Sequence, residues 1–147
     1  MSQWMPGEIL YDHALMMAKL AMRTSHLAGI LWHQGENDCT SEDLARAHKQ
    51  KFITMISSLR RDLGSDNIPV VIGELCEGIS ERYVSPACLK IINEQYREVA
   101  AESPACAFVS CEGLTLKPDI LHFDAESLRE FGHRYFNVYS ELCGIAK

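Results

Sequence analysis

No stretch of the chain holds the ~18 consecutive apolar residues that a bilayer-spanning helix needs. The opening MSQWMPGEIL also lacks the basic segment followed by an apolar run that marks a secretory leader. The expectation is a protein that neither crosses nor binds a membrane and has a cytoplasmic location. Clustered positive charge is missing too. With 14 Lys+Arg against 20 Asp+Glu the net charge is −6, and no basic cluster longer than Arg60-Arg61 stands out, so the footprint of a nucleic-acid partner is absent. The six cysteines (39, 76, 88, 106, 111 and 143) show no CxxC spacing and mostly sit in or beside apolar runs. This favours reduced core thiols over a disulfide framework. HxxxH, HExxH and Cys/His clusters with zinc spacing are likewise missing.

What is present fits one folded domain over residues 1–147, with 47% hydrophobic and 23% charged residues. Hydrophobic period alternates between helical and strand-like. Pro6 to about Ser25 reads as a helix with Leu10, Ala14, Met17, Ala18 and Ala21 on one face. A short buried strand, LAGILW (27–32), follows. Thr40-Ser41-Glu42-Asp43 resembles a capping box opening a helix with Phe52, Met55, Ile56, Leu59 and Leu63 inward, stopped by Gly64. IPVVIGE (68–74) has the continuous apolar, β-branched pattern of a strand covered on both faces. After a loop over 75–85, a helix from about Pro86 to Glu102 turns Leu89, Ile92, Tyr96 and Val99 inward. CAFVSC (106–111) is the next strand and 112–124 a loop, before a helix over about 125–142 with Leu128, Phe131, Tyr135, Val138 and Leu142 on one side. The order α-β-α-β-α-β-α with short connections implies an α/β/α three-layer sandwich around a parallel sheet.

Two polar clusters follow predicted strands: Trp32-His33-Gln34-Gly35-Glu36-Asn37-Asp38, and Asp119 with His122 in LKPDILHFDAES. Ligands bind beyond the carboxyl ends of strands in such sheets, so both clusters are expected on one rim. A carboxylate accepting from imidazole Nδ1–H fixes the tautomer and leaves Nε2 to act as a base, the role open to Asp119 and His122. The same spacing also suits an Asp that caps the last helix and a His satisfied in its loop. Gln34 can donate to a developing oxyanion, and Gly35 allows close backbone approach. Glu36 and Asp38 suit supporting acceptors or an acidic turn. Trp32 suits either a cleft wall or the core. A metal site drawn from His33, Glu36, Asp38, Asp119, His122 and Asp124 is a further alternative.

GILWHQGENDC and PDILHFDAESLREFGHRYF together resemble the sialic acid-specific acetylesterase-like group, carbohydrate esterase family 6, a branch of the SGNH hydrolases. LYDHALMMAKLAM, IPVVIGEL, INEQYREVA and FVSCEGL extend the resemblance over nearly the whole chain. The resemblance implies hydrolysis of an O-acetyl ester on a sugar, such as acetylated sialic acid, through an acyl-serine and without metal or cofactor. It makes His122 the general base and Asp119 its orienting carboxylate. Gln34 and Gly35 match the oxyanion-stabilising motif, Glu36 a supporting position, and His33 and Trp32 flank them.

The family's nucleophile lies in a GQSN-like turn after a first strand, and this sequence contains no such turn. Ser65 lies in a turn at the opposite rim, Ser80 lacks the context of a nucleophile elbow, and Ser2 has no strand before it. The first strand or strands of the sandwich are therefore expected to be missing, with little acyl turnover by residues 1–147 alone. Strand 27–32 is expected at an open edge, covered by a missing N-terminal segment or by a second copy in a homodimer. A non-catalytic carbohydrate-binding or interaction module, and a metal-assisted hydrolase, are the alternative functions.

Overall fold

The computed structural model describes residues 1–145. Three strands, β1 (Ile30–Trp32), β2 (Val70–Gly73) and β3 (Cys106–Val109), form one parallel sheet in the order β1-β2-β3. Ile30 is aligned with Val70, and Val70 with Cys106. Four helices connect and cover them: α1 (Ile9–Ala21), α2 (Glu42–Asp62), α3 (Pro86–Glu102) and α4 (Ala125–Leu142). Side chains alternate across β1 and its exit. Trp32 packs on Phe52 of α2 and donates to Tyr96 of α3, whereas His33 packs on Phe131 of α4. Thus α2 and α3 cover one face of the sheet and α4 the other, the layered arrangement expected from the order of elements.

Local chemistry explains the boundaries. Ser41 caps α2 by accepting from the Leu44 amide at 3.3 Å. The capping box is only half built, because the position three residues on is Leu44 and offers no carboxylate in return. Pro86 occupies the first turn of α3, and Asp124 caps α4 by accepting from the Ser127 amide at 2.8 Å. The predicted faces of α2 and α3 are buried: Phe52, Met55, Ile56 and Leu59, with Leu89, Ile92, Tyr96 and Val99.

The first helix differs from expectation. It begins at Ile9, because Gly7 turns the chain at φ +85° and leaves Pro6 outside. Leu10 and Met17, expected inward, are exposed; Tyr11 is buried in their place and donates to Asp62 at 2.7 Å. Leu128 of α4, also expected inward, is exposed as well. All six cysteines are free thiols, and all but Cys143 are buried. Among the described residues no helix is long and apolar enough to cross a membrane.

Among the described residues strand β1 pairs on one side only. Its Leu31 is 63% exposed, and a groove of about 330 Å³ runs between it and α4, walled by Ala28, Gly29, Phe136 and Tyr139. Where β1 ends, the Tyr135 phenol of α4 reaches the sheet. It donates to the Trp32 carbonyl at 2.7 Å and packs against Gly73. Burial holds this phenol's pKa well above its usual range, so it stays a donor. Gly73 is what makes room for it, since a Cβ there would lie 1.9 Å from the Tyr135 oxygen.

Gly73→Ala is therefore expected to lower unfolding free energy by about 1–3 kcal/mol through overpacking. Gly132→Ala, on α4 with no atom within 4 Å of the added Cβ, is expected to raise it by up to about 1 kcal/mol through helix propensity. Urea denaturation of both variants checks the pair.

Candidate active site

Both polar clusters line one cleft. The segment leaving β1 supplies His33, Gln34, Glu36 and Asn37; the segment entering α4 supplies Lys117, Leu121, His122 and Phe123; Leu128 completes the wall, and the volume is about 470 Å³. The parallel sheet brings them together, because β1 and β3 run the same way and their following loops leave from the same end.

The 112–124 loop is a narrow hairpin. Leu116 bridges Phe123 in antiparallel fashion, the Lys117 amide donates to the His122 carbonyl at 2.7 Å, and the Asp124 amide donates to Thr115 at 3.1 Å. At its tip Asp119 Oδ1 accepts from the Leu121 and His122 amides, both at 3.0 Å, while Oδ2 lies 2.8 Å from His122 Nδ1. One carboxylate thereby closes the turn and orients the ring, leaving His122 Nε2 without a hydrogen-bond partner among the described residues. The His122 ring and amide, then the Leu121 amide, pull the Asp119 pKa down to about 2. Ile120, between them, has φ +52°, a strained value for a β-branched residue. Its carbonyl accepts from the Ser80 amide at 3.0 Å, which braces the hairpin against the 75–85 loop.

On the opposite wall, Gln34 Oε1 is buried and unpartnered, and Gly35 is packed so closely that a Cβ would lie 2.9 Å from Leu75 and 3.2 Å from the Tyr96 oxygen. The Gly35 amide is occupied, donating to Glu36 Oε2 at 2.9 Å. His33 stacks on Phe123 at 5.7 Å, with Nε2 3.2 Å from the Glu74 carbonyl.

Compared with known proteins, residues 1–141 match the family model described as carbohydrate esterase, sialic acid-specific acetylesterase. The chain belongs to that family. Among solved structures it is similar to a protein of Arabidopsis thaliana, with TM-score 0.84 and 21% identity over 95% of this chain and 56% of that one. It is also similar to a carbohydrate acetylesterase of Xanthomonas citri, with TM-score 0.64 and 21% identity over 78% of this chain and 26% of that one. At this identity the two likenesses support the α/β sandwich fold. The chain spans about half the length of the first relative and about a quarter of the second.

In this member of the sialic acid-specific acetylesterase family, four of the sequence-picked positions stand on the cleft, His33, Gln34, Glu36 and His122, and Asn37 joins them. Asp119 stands directly behind His122. Trp32 does not line it. That side chain is 6% exposed and packs on Trp4 and Phe52, because strand alternation turns it to the face covered by α2 and α3. Of the six residues weighed as metal ligands, Asp38 turns inward to His48 and Asp124 is spent on capping α4. No group of three or more His, Cys, Asp and Glu side chains suited to hold a metal ion occurs among the described residues. No serine, threonine or cysteine lines the cleft. Ser80 Oγ instead accepts from the Arg82 amide at 3.3 Å.

Sequence reasoning missed Glu74, a carboxylate at the end of an apolar strand. It is 7% exposed, accepts from Ser110 Oγ at 2.7 Å and from the Cys111 amide at 2.9 Å, and pairs with Arg97. Burial alone would raise its pKa, but these donors outweigh burial and hold it below the ordinary value. The signal available was its position: an acid closing a fully apolar run needs partners.

The Asp119 carboxyl is expected to titrate near pH 2 when its side-chain carbon resonance is followed by NMR. His122→Ala removes the main cause and should return it toward the ordinary carboxylate range. Because the folded-state pKa is the lower one, the turn's support is full above about pH 4 and fades as pH falls through about 2.

Proposed function

We propose that this chain carries the oxyanion and His-Asp portion of a serine-type carbohydrate O-acetyl esterase acting on acetylated sugars such as acetylated sialic acids. The observation that carries the reading is one cleft bounded by Gln34 on one wall and by His122, backed by Asp119, on the other. His122 Nε2 takes the proton from a serine hydroxyl as it attacks the acetyl carbonyl, then returns it to the departing sugar oxygen. Asp119 holds the tautomer and balances the imidazolium. The Gln34 side-chain amide supplies the donor to the tetrahedral oxyanion, a role worth roughly 10²–10³ in kcat for comparable single donors. The Gly35 amide contributes only after Glu36 releases it. Water then repeats the sequence to free acetate.

The serine comes from outside these 147 residues, on a strand that pairs with the open edge of β1 and ends in a turn facing His122. Support for this comes from the unpaired edge, the apolar groove beside it, the lack of a nucleophile in the cleft and the greater length of the similar structures. Without that strand, edge-to-edge pairing of two copies through β1 is the expected substitute. A second reading, a carbohydrate-binding or interaction module, draws on the same missing nucleophile.

Hydrolysis of p-nitrophenyl acetate and of O-acetylated sialic acid, with and without chelator, tests the reading on residues 1–147 and on a form extended upstream in the gene. The expected result is negligible turnover by residues 1–147 and chelator-insensitive turnover by the extended form. In that form His122→Ala should lower kcat by roughly 10³-fold or more. Turnover that survives His122→Ala, or that chelator removes, would overturn the esterase assignment. Sugar binding without turnover in both forms would favour the module. Light scattering of residues 1–147 at micromolar concentration should report a dimer, and a stable monomer would count against pairing through β1.

A further inference from the structure

Beneath the Gln34-Gly35 turn lies a polar chain that no step above uses. His48 on α2 is 0% exposed, Tyr96 on α3 1% and Asp38, in the short 3-10 helix Glu36–Thr40, 4%. Asp38 Oδ2 lies 2.8 Å from His48 Nδ1; His48 Nε2 lies 2.7 Å from Tyr96 Oη; Tyr96 Oη donates to the Gln34 carbonyl at 2.5 Å. Trp32 Nε1–H joins from the side, 2.9 Å from Tyr96 Oη and 3.1 Å from the Gln34 carbonyl. Asp38 Oδ1 receives the Met1 amino group at 2.7 Å. We propose that Asp38, His48 and Tyr96 form a buried positioning relay that fixes the main chain of Gln34 and Gly35 and so aims the Gln34 amide into the cleft. Its functional consequence rests on the esterase reading, whereas its geometry does not.

Proton inventory gives the relay a direction. The Gln34 carbonyl only accepts, so the single Tyr96 proton goes to it. Indole Nε1–H only donates, and it reaches both Tyr96 Oη and the Gln34 carbonyl. His48 joins the two ends, with Nδ1 on the Asp38 carboxylate and Nε2 on the phenol oxygen. Burial would raise the Asp38 pKa, but hydrogen bonds from His48 and the Met1 amino group outweigh burial and hold it below the ordinary value. Burial also keeps the Tyr96 phenol protonated, well above its usual range.

Apolar side chains of similar size would fill this space without desolvating an ion pair. What the polar chain adds is orientation. Two helices and the 3-10 turn all converge on one carbonyl, immediately beside the residue whose side chain faces the cleft. The close approach of Gly35 to Tyr96 Oη, 3.2 Å from where a Cβ would stand, shows that the turn is seated on the phenol itself. Gln34 and Gly35 are therefore a rigid wall, in contrast to the hairpin tip opposite.

The test uses the 147-residue chain and needs no activity. In the unaltered protein the Trp32 indole, the Gly35 amide and a His48 ring N–H should all resist exchange with solvent; rapid exchange of these protons in the folded chain would overturn the relay. Tyr96→Phe, which removes only the hydroxyl, should shift the Trp32 indole and Gly35 amide resonances. It should also speed amide exchange across residues 34–38 by about tenfold or more, while the β2 and β3 amides stay as they were. Should Tyr96→Phe fail to fold, His48→Gln is read by the same resonances. Unmoved Gly35 and Trp32 signals in a folded variant would overturn the proposal. In the extended form, Tyr96→Phe should lower kcat about tenfold and leave KM within twofold. No hydrolysis by the unaltered extended form would sink the esterase reading but leave the relay standing on its NMR signature.

Discussion

The Tyr135 phenol, which donates to the Trp32 carbonyl and packs against Gly73, marks where β1 ends and the cleft begins. Up to that point β1 and β2 satisfy one another by ladder hydrogen bonds. Beyond it the chain is free to turn, and His33, Gln34 and Gly35 leave the sheet toward the 112–124 hairpin. A phenol can do this only where the neighbouring strand has no side chain in the way. The contact therefore ties a residue on the last helix to a glycine in the middle strand and to the backbone of the first. Buried backbone groups need partners, and the phenol supplies a donor to the Trp32 carbonyl at the sheet's end.

Around that point the two walls are supported by opposite means. Gln34 and Gly35 rest on a buried chain of polar side chains drawn from α2, α3 and the 3-10 turn. Glu74 does a similar service under the other loops, joining the end of β2 to Ser110, Cys111 and Arg97. The His122 turn, by contrast, is exposed and closed by one carboxylate, with a strained isoleucine at its tip. A wall resting on buried polar side chains thus faces an exposed hairpin whose tip is closed by one carboxylate.

Much of this was legible in the sequence where physical contrast is strong. The inward faces of α2 and α3 were, because their apolar residues alternate with charged ones. The meeting of the two polar clusters was also legible, because parallel strands send their following loops to the same rim. The first helix was misread: it carries apolar residues nearly all round, so periodicity could not tell Tyr11, which is buried, from Met17, which is not. Trp32 was assigned ambiguously because one step along a strand reverses the face, and nothing local sets the register. His48 and Tyr96 were invisible as functional residues, since their contacts join positions 48 and 62 residues apart. On a helix such residues look like ordinary core. Family likeness reached the cleft residues but carried no information about what lies below them.

The distribution of thiols has a further use. Cys39 follows the Gln34 wall, Cys76 and Cys111 flank Glu74, Cys88 opens α3 and Cys106 begins β3, all buried, while Cys143 alone faces solvent. Burial pushes the Cys39 thiol up to about 12 and Cys111 further in the same direction, so neither ionises in the closed structure. Alkylation needs thiolate and access together, which makes each buried cysteine a clock for the opening of its own neighbourhood. The protein thus comes equipped with internal reporters at both walls and beneath them, and with one exposed sulfur to calibrate the reagent.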